Sequence, residues 1–191
     1  HYMNLATGMY KQIFTRCRRR NYILAKGIVI LFSGFMVIFI PLLMNQLLCL
    51  TVAPVQSTRH ILSGWAAYTT YPSEKMFFES LFISRPYLYN LVYMVMASLV
   101  GSLAAFISYA VSFVSSKSRL IVVAAPLILY LVYNFITEVL VGQKYALYLY
   151  LYGHGMGGLE LQIFFNILLL GFAAGLMVIA VKSVLHKDQL Y

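Results

Sequence analysis

The stretch that decides the fold is residues 27–50, which read GIVILFSGFMVIFIPLLMNQLLCL without an acidic or basic side chain. At a rise of about 1.5 Å per residue, a helix over this range is about 36 Å long. That length is enough to cross a hydrocarbon core about 30 Å thick. It is also longer than the apolar core of a signal peptide. Residues 27–50 therefore predict a transmembrane helix.

The most basic part of the chain lies directly before this helix. Residues 11–20 read KQIFTRCRRR, with five cations and no acid, and Lys26 adds a sixth. Because apolar residues recur here at helical spacing, we predict a short amphipathic helix that lies on the membrane surface. The residues of its apolar face are Tyr10, Ile13, Phe14 and Cys17.

The composition places the whole chain in the membrane class. Its 191 residues are 62% hydrophobic and only 10% charged, whereas a soluble domain is about 25% charged. So few charges cannot cover a surface that faces water. The length leaves room for about four spans and none for a separate soluble domain. We therefore expect a single transmembrane domain over residues 1–191.

Three further apolar runs follow the first. We predict an all-α polytopic membrane protein with transmembrane helices at about 26–50, 87–114, 120–141 and 161–181. An amphipathic pattern at about 73–83 predicts an outer interfacial helix. The remaining segments are a cytoplasmic segment at 1–25 and outer loops at 51–86 and 142–160.

The distribution of cations predicts the orientation. With four spans, ten Lys and Arg residues lie on the side of the basic stretch and four on the other. Positive loops stay in the cytoplasm, so both termini are expected there, in a multi-pass protein of the cell membrane. The chain begins at His1 rather than Met, from which we expect that part of the natural protein precedes it.

The sequence contains no arrangement typical of an enzyme. The four histidines are far apart, and no catalytic triad, metal-ligand spacing or phosphate-binding loop appears. An intramembrane enzyme using Glu138 or His154 would need a partner group that the sequence does not provide. Nucleic-acid binding is disfavoured because the cations lie at span ends. We expect no catalytic activity, no cofactor and no metal in this chain.

The third predicted span has one polar face. Its members are Pro126, Tyr130, Asn134, Thr137 and Glu138. Polar groups inside a membrane often hydrogen-bond between helices, and this is one interpretation. In the other interpretation, Tyr130, Asn134 and Glu138 line a path for a substrate or an ion.

Small residues form stripes on two spans. The second span has Ala97, Gly101 and Ala105, and the fourth has Gly171 and Gly175. Such spacing allows two helices to approach closely. The stripes are expected either to pack helices within this chain or to form a seam with a second subunit.

Two short segments resemble a known family. Residues 10–16, YKQIFTR, and 22–27, YILAKG, resemble the cytoplasmic segment of ABC-2 type transporter permeases, with Thr7-Gly8 in the place of its lead-in. In that family the segment lies between the second and third spans and is the coupling helix that touches the ATPase. The four predicted spans would correspond to the last four of six. The tail at 182–188 is similar to the ends of Gram-positive members, whereas Arg18-Arg19-Arg20 stands where the family commonly has proline.

The resemblance implies a permease subunit of an ATP-binding cassette exporter. Its partners would be a separate ATPase subunit, a second permease subunit and membrane lipids, and its cargo a peptide, an antibiotic or a lipid-like molecule. A non-transporting structural or assembly subunit of a larger membrane complex is the alternative. The residues implied to contact the ATPase are Tyr10, Lys11, Ile13, Phe14, Arg16, Arg18, Arg19 and Arg20.

Overall fold

A computed structural model of the chain describes residues 19–52, 78, 81, 84–114, 119–142, 145–151 and 161–185. The regular structure within these ranges is helical throughout, which confirms the predicted all-α fold. The helices are α1 (Arg19–Val52), α2 (Pro86–Val114), α3 (Arg119–Ile136), its π-helical continuation π1 (Thr137–Val141), α4 (Leu147–Leu151) and α5 (Leu161–Leu185).

Four of these helices are long and apolar enough to cross a membrane. The candidate spans are Asn21–Thr51, Tyr87–Val114, Leu120–Val141 and Leu161–Lys182. They confirm the four predicted spans and the multi-pass, membrane-embedded character of the protein. The side chains on their outward faces are apolar and exposed, for example Val37 (71%) and Val123 (73%), as expected for surfaces that face lipid.

The first helix begins before the predicted span. Helix α1 is continuous from Arg19 to Val52, so the helix extends beyond the span predicted at about 26–50. Residues 19–26 contain no proline or glycine, and most of them are good helix formers. Charged side chains indicate where the hydrocarbon core of the membrane ends, but they do not terminate a helix. Arg19 and Arg20, which were assigned to a separate coupling segment, therefore belong to the same helix as the span.

The early part of α1 is attached to the end of α2. The hydroxyl of Tyr109 donates a hydrogen bond of 3.1 Å to the backbone oxygen of Ile23. Within α1, the Lys26 ammonium lies 5.9 Å from the centre of the Tyr22 ring. The Tyr109 hydrogen bond holds the early part of α1 against the bundle.

Replacement of Tyr109 by phenylalanine is expected to weaken this attachment. The ring and its packing remain while one partly buried hydrogen bond is lost, which costs about 0.5–1.5 kcal/mol. Thermal unfolding in detergent measures the loss. Tyr145→Phe is the matched control, since this tyrosine is exposed and the change leaves the Tyr109 hydrogen bond in place. Equal stability of Tyr109→Phe and the wild-type protein would contradict the role assigned to the hydroxyl.

Helix α2 is the centre of the bundle. It packs against α1, α3, α4 and α5, and buried side chains lie along much of its length. One core cluster joins its first half to α4 and α5 through Met96, Tyr150 and Phe164. The other joins its second half to α5 through Phe106 and Ile179, with side chains of α1 packed against it. The other long helices are thus arranged around α2.

Helices α1 and α2 approach each other at Gly34. A Cβ atom added to Gly34 would lie 2.6 Å from the Cβ of Ala105 and 3.2 Å from the backbone oxygen of Gly101. A Cβ added to Gly101 would overlap the end of the Ile38 side chain. Both distances at Gly34 are shorter than van der Waals contact, so this crossing requires glycine there.

The predicted outer interfacial helix at 73–83 lies largely outside the described residues. Phe78 is in a turn with a φ of 55°, which is left-handed backbone, so one uninterrupted helix through Phe78 is excluded. The backbone N–H of Leu81 donates to the oxygen of Phe78 (2.9 Å), and that of Arg85 donates to the oxygen of Leu81 (2.8 Å). Helical bonding therefore resumes after the turn and leads to α2.

Candidate functional site

The polar face of α3 holds the short helix α4. The side-chain amide of Asn134 donates to the backbone oxygen of Tyr130 (2.8 Å), and its oxygen accepts from the backbone N–H of Tyr148 (3.2 Å). The first N–H groups of a helix have no partner within that helix. Asn134 therefore acts as a cap for α4 from a neighbouring span, and its amide is bonded on both sides.

Two tyrosines add to this attachment. The hydroxyl of Tyr133 donates to the backbone oxygen of Tyr145 (2.9 Å), and the hydroxyl of Tyr148 donates to a Glu138 carboxylate oxygen (3.4 Å). Partial desolvation, followed by the charge and hydrogen bond of Glu138, raises the pKa of the Tyr148 phenol. The phenol therefore stays protonated at neutral pH and remains a donor. Tyr148 thus contacts both Asn134 and Glu138.

The π-helical segment continues the same face. The buried Thr137 hydroxyl lies 2.9 Å from the backbone oxygen of Tyr133 and 3.1 Å from that of Asn134, so its one hydrogen is shared between them. The backbone N–H of Gly142 closes the π turn on the oxygen of Thr137 (2.8 Å). Gly142 has a φ of 120°, which only glycine adopts without strain. This explains why the helix ends there.

Helix α4 is buried in the bundle. Ala146 is fully buried and Tyr150 is 2% exposed, and the Tyr150 ring lies 5.6 Å from that of Phe164 in α5. Within the predicted outer loop at 142–160, residues Leu147–Leu151 form a helix with Leu147, Leu149 and Tyr150 buried.

A cleft lies below α4, between α3 and α5 on the surface of α2. Its volume is about 380 Å³, and we call it the α3–α5 cleft. It exists because α3 and α5 both pack on α2, while α5 presents the small residues Gly171 and Ala174 to the space between them. Its lining is apolar and includes Leu103, Ile107, Pro126, Tyr130, Leu147 and Gly171.

The structure separates the three residues predicted for a path. Tyr130 lines the α3–α5 cleft. Asn134 is buried, with 8% exposure, and both ends of its amide bond backbone groups. Glu138 is exposed on π1 and its contact is with Tyr148. The polar face thus combines one cleft residue with two residues that hold α4.

The small-residue stripes face neighbouring helices of this chain. Gly101 and Ala105 lie at the crossing with α1, while Ala97, one turn earlier, is half-buried. On α5, a Cβ added to Gly171 would lie 3.0 Å from the methyl groups of Leu103, and one added to Gly175 would lie 2.7 Å from the Phe106 ring. Each stripe therefore lies where α2 meets α1 or α5.

Sequence reasoning missed three residues of these contacts. Gly34 lies opposite the α2 stripe, but the residues four positions before and after it are isoleucines, so no stripe of small residues marks it. The chain has 16 tyrosines, and no sequence pattern distinguishes Tyr133 and Tyr148 from the others. The spacing of Asn134 and Glu138 indicated this face. Their partner, Tyr148, is identified by the position of α4 in the structure.

The predicted coupling residues are only partly described. Arg19 and Arg20 form the start of α1, while Tyr10, Lys11, Ile13, Phe14, Arg16 and Arg18 lie outside the described residues. The described cations nevertheless share one end of the bundle, where α1 and α3 begin and α2 and α5 end. We call this the basic end. Five of the six described cations are there, namely Arg19, Arg20, Lys26, Arg119 and Lys182, and Arg85 is at the opposite end.

The described ranges hold no group of three metal-binding side chains, and all four histidines, His154 among them, lie outside those ranges. Cys49, the described cysteine, is free and exposed near the end of α1. Comparison of the chain with family models, with curated proteins and with solved structures gives no match.

Proposed function

We propose that the chain is a transmembrane permease subunit of an ATP-binding cassette exporter. A separate ATPase subunit would bind its basic end, and ATP hydrolysis there would drive the export of a cargo. Support for this proposal comes from the resemblance of residues 10–16 and 22–27 to the coupling segment of ABC-2 type permeases. The four-span architecture is compatible with it.

The observation that carries the proposal is the continuity of α1. The helix has 34 residues and is about 51 Å long at about 1.5 Å per residue. Its basic start and the first part of its membrane span, as far as Pro41, are one continuous helix, so a displacement imposed at Arg19 or Arg20 would reach Gly34. The tight crossing at Gly34 would pass that displacement to α2.

The charge distribution supports a cytoplasmic position for the basic end. Five of the six described cations are at this end, and the acidic residue of the described ranges, Glu138, is near the other. Cytoplasmic ends of membrane proteins carry an excess of Lys and Arg. We propose that both termini lie in the cytoplasm and that the membrane is the cell membrane.

The α3–α5 cleft is our candidate for the cargo path. It is apolar and opens toward the lipid-facing side, where Leu129 and Leu170 are 49% and 67% exposed. Such a surface suits a lipid-like or strongly apolar cargo better than a charged one. A second permease subunit would close the open side of the cleft.

One observation favours the alternative of a non-transporting structural subunit. Asn134 is the most buried polar side chain of the predicted path, and both ends of its amide bond to backbone groups of the same chain. It has a structural role whether or not anything is transported. The experiment below distinguishes the two functions.

Charge reversal tests the coupling contact. The full chain is purified from its native membrane together with bound proteins, and a copurifying ATP-binding cassette ATPase is expected. Changing Arg16, Arg18, Arg19 and Arg20 to Glu should lower its recovery and the ATP hydrolysis of the complex at least tenfold, because each reversal replaces attraction by repulsion. Arg85→Glu, at the opposite end, is the matched control.

A reporter fused to the C-terminus checks that the variants keep the normal topology. If the reversed chain inserts normally and still recovers an active ATPase, the coupling contact is excluded. If the wild-type chain is recovered in a complex that has no ATPase, the structural-subunit function replaces this proposal.

A further inference from the structure

A second cleft lies at the basic end, between the start of α1, the end of α2 and the end of α5. Its volume is about 280 Å³, and we call it the basic-end cleft. Ile23 and Gly27 line it on α1, Tyr109 on α2, and Leu176 and Ile179 on α5. The Tyr109 hydroxyl donates to the Ile23 backbone oxygen, so this hydroxyl bonds to the protein and does not make the cleft polar.

This cleft opens toward lipid. Three of its lining side chains are also on the outer surface of the spans, where Leu24 is 50%, Ile28 66% and Leu176 53% exposed. A water molecule needs two to four polar partners, and the lining side chains are apolar. The chemistry that fits this space is a hydrocarbon chain.

Two lysines lie close in sequence to residues that line this cleft. Lys26 is in the helical turn that contains Ile23 and Gly27, and Lys182 follows Ile179 by one turn of α5. Both are half-buried, as expected for lysines whose carbon chains lie along an apolar surface while the ammonium reaches the membrane interface. Within the described ranges the single acid, Glu138, is at the opposite end of the bundle. An apolar cleft flanked by two lysines is complementary to a molecule with a hydrocarbon chain and an anionic head.

We propose that the basic-end cleft binds one acyl chain of an anionic phospholipid, with the phosphate held by Lys26 and Lys182. A helix of a second copy in the same orientation would bring its own cations to this end of the bundle, so charge favours an anionic phospholipid as the occupant. The proposal does not depend on a transport function.

Lipid titration tests the charged part of the site. The full chain in detergent is titrated with dioleoylphosphatidylglycerol or dioleoylphosphatidylcholine, and bound lipid is counted by native mass spectrometry. The wild-type chain should prefer the anionic lipid about 20–30-fold, since each nearby lysine contributes about a fivefold gain. The double variant Lys26→Gln/Lys182→Gln should bind both lipids equally. Arg85→Gln, at the other end, should keep the preference.

Filling the cleft tests the acyl-chain part. A Cβ added to Gly27 would lie 3.6 Å from the Tyr109 ring, an ordinary contact, and Gly27 lines the cleft, so a leucine at this position adds bulk to the lining. Gly27→Leu should lower the affinity for both lipids at least tenfold with the melting temperature maintained. Ala174→Leu, which fills the α3–α5 cleft instead, should leave binding of phosphatidylglycerol unchanged.

A phosphatidylglycerol with a photoreactive diazirine in one acyl chain locates the bound lipid. Labelling is expected on Leu24, Ile28 or Leu176, and it should fall in Gly27→Leu. Equal binding of the two lipids by the wild-type chain would overturn the proposal. Labelling confined to other helices would also overturn it. An increase in labelling after residues 10–17 are changed to polar residues would overturn it too, because it would show that this segment of the chain occupies the cleft.

Discussion

The Gly34→Ala variant is expected to lose stability at the crossing of α1 and α2. The added methyl would lie 2.6 Å from the Ala105 Cβ and 3.2 Å from the Gly101 backbone oxygen, and neither partner is the end of a flexible side chain. Overpacking of this kind costs about 1–3 kcal/mol. For a chain of this size that loss lowers the apparent melting temperature in detergent by about 2–12 °C.

Two further variants make this result specific. Gly101→Ala should cost less, because the atoms in its way belong to the end of the Ile38 side chain, which can rotate. Combining Gly34→Ala with Ala105→Gly removes the nearest atom, so the double variant should be more stable than the sum of the two single effects. Ser33→Ala, on the exposed side of the same turn, is the control. Additive effects of Gly34→Ala and Ala105→Gly would contradict the crossing.

The second large effect is expected at Asn134. Asn134→Ala removes the acceptor of the Tyr148 N–H, which then lies in a partly buried place without its partner. An unsatisfied buried group costs about 1–3 kcal/mol, while hydrogen bonds between membrane helices contribute about 0.6 kcal/mol on average and at most about 1.7. We expect a loss of about 1–2 kcal/mol that is local to α4.

Hydrogen exchange followed by mass spectrometry measures this loss. The amides of residues 145–151 should exchange about tenfold faster in Asn134→Ala, since about 1.4 kcal/mol corresponds to a factor of ten, while those of α1 stay unchanged. Tyr148→Phe keeps the backbone N–H and loses only the long bond to Glu138, so it should differ little from the wild-type chain. Unchanged protection of 145–151 in Asn134→Ala would show that other contacts hold α4.

These two sites show which part of each helix contact a sequence pattern does not contain. The stripe of Gly101 and Ala105 marks a close approach, but its partner Gly34 lies on another helix, more than 60 residues away. Similarly, the polar spacing of Asn134 and Glu138 marks an inward face. What that face contacts depends on where the chain returns after Gly142, and periodicity along one helix carries no information about this.

The sequence by itself determined the class of the protein, the number of its spans and the end at which positive charge collects. These properties depend on local composition, because each span must satisfy its own backbone hydrogen bonds and present apolar side chains to lipid. Only the tertiary structure decided that α1 extends to Arg19, that α4 is buried under a cap from Asn134, and that two apolar clefts flank α2. Those features depend on which helices meet, and helix contacts within a membrane are determined by the shapes of facing side chains rather than by hydrophobicity.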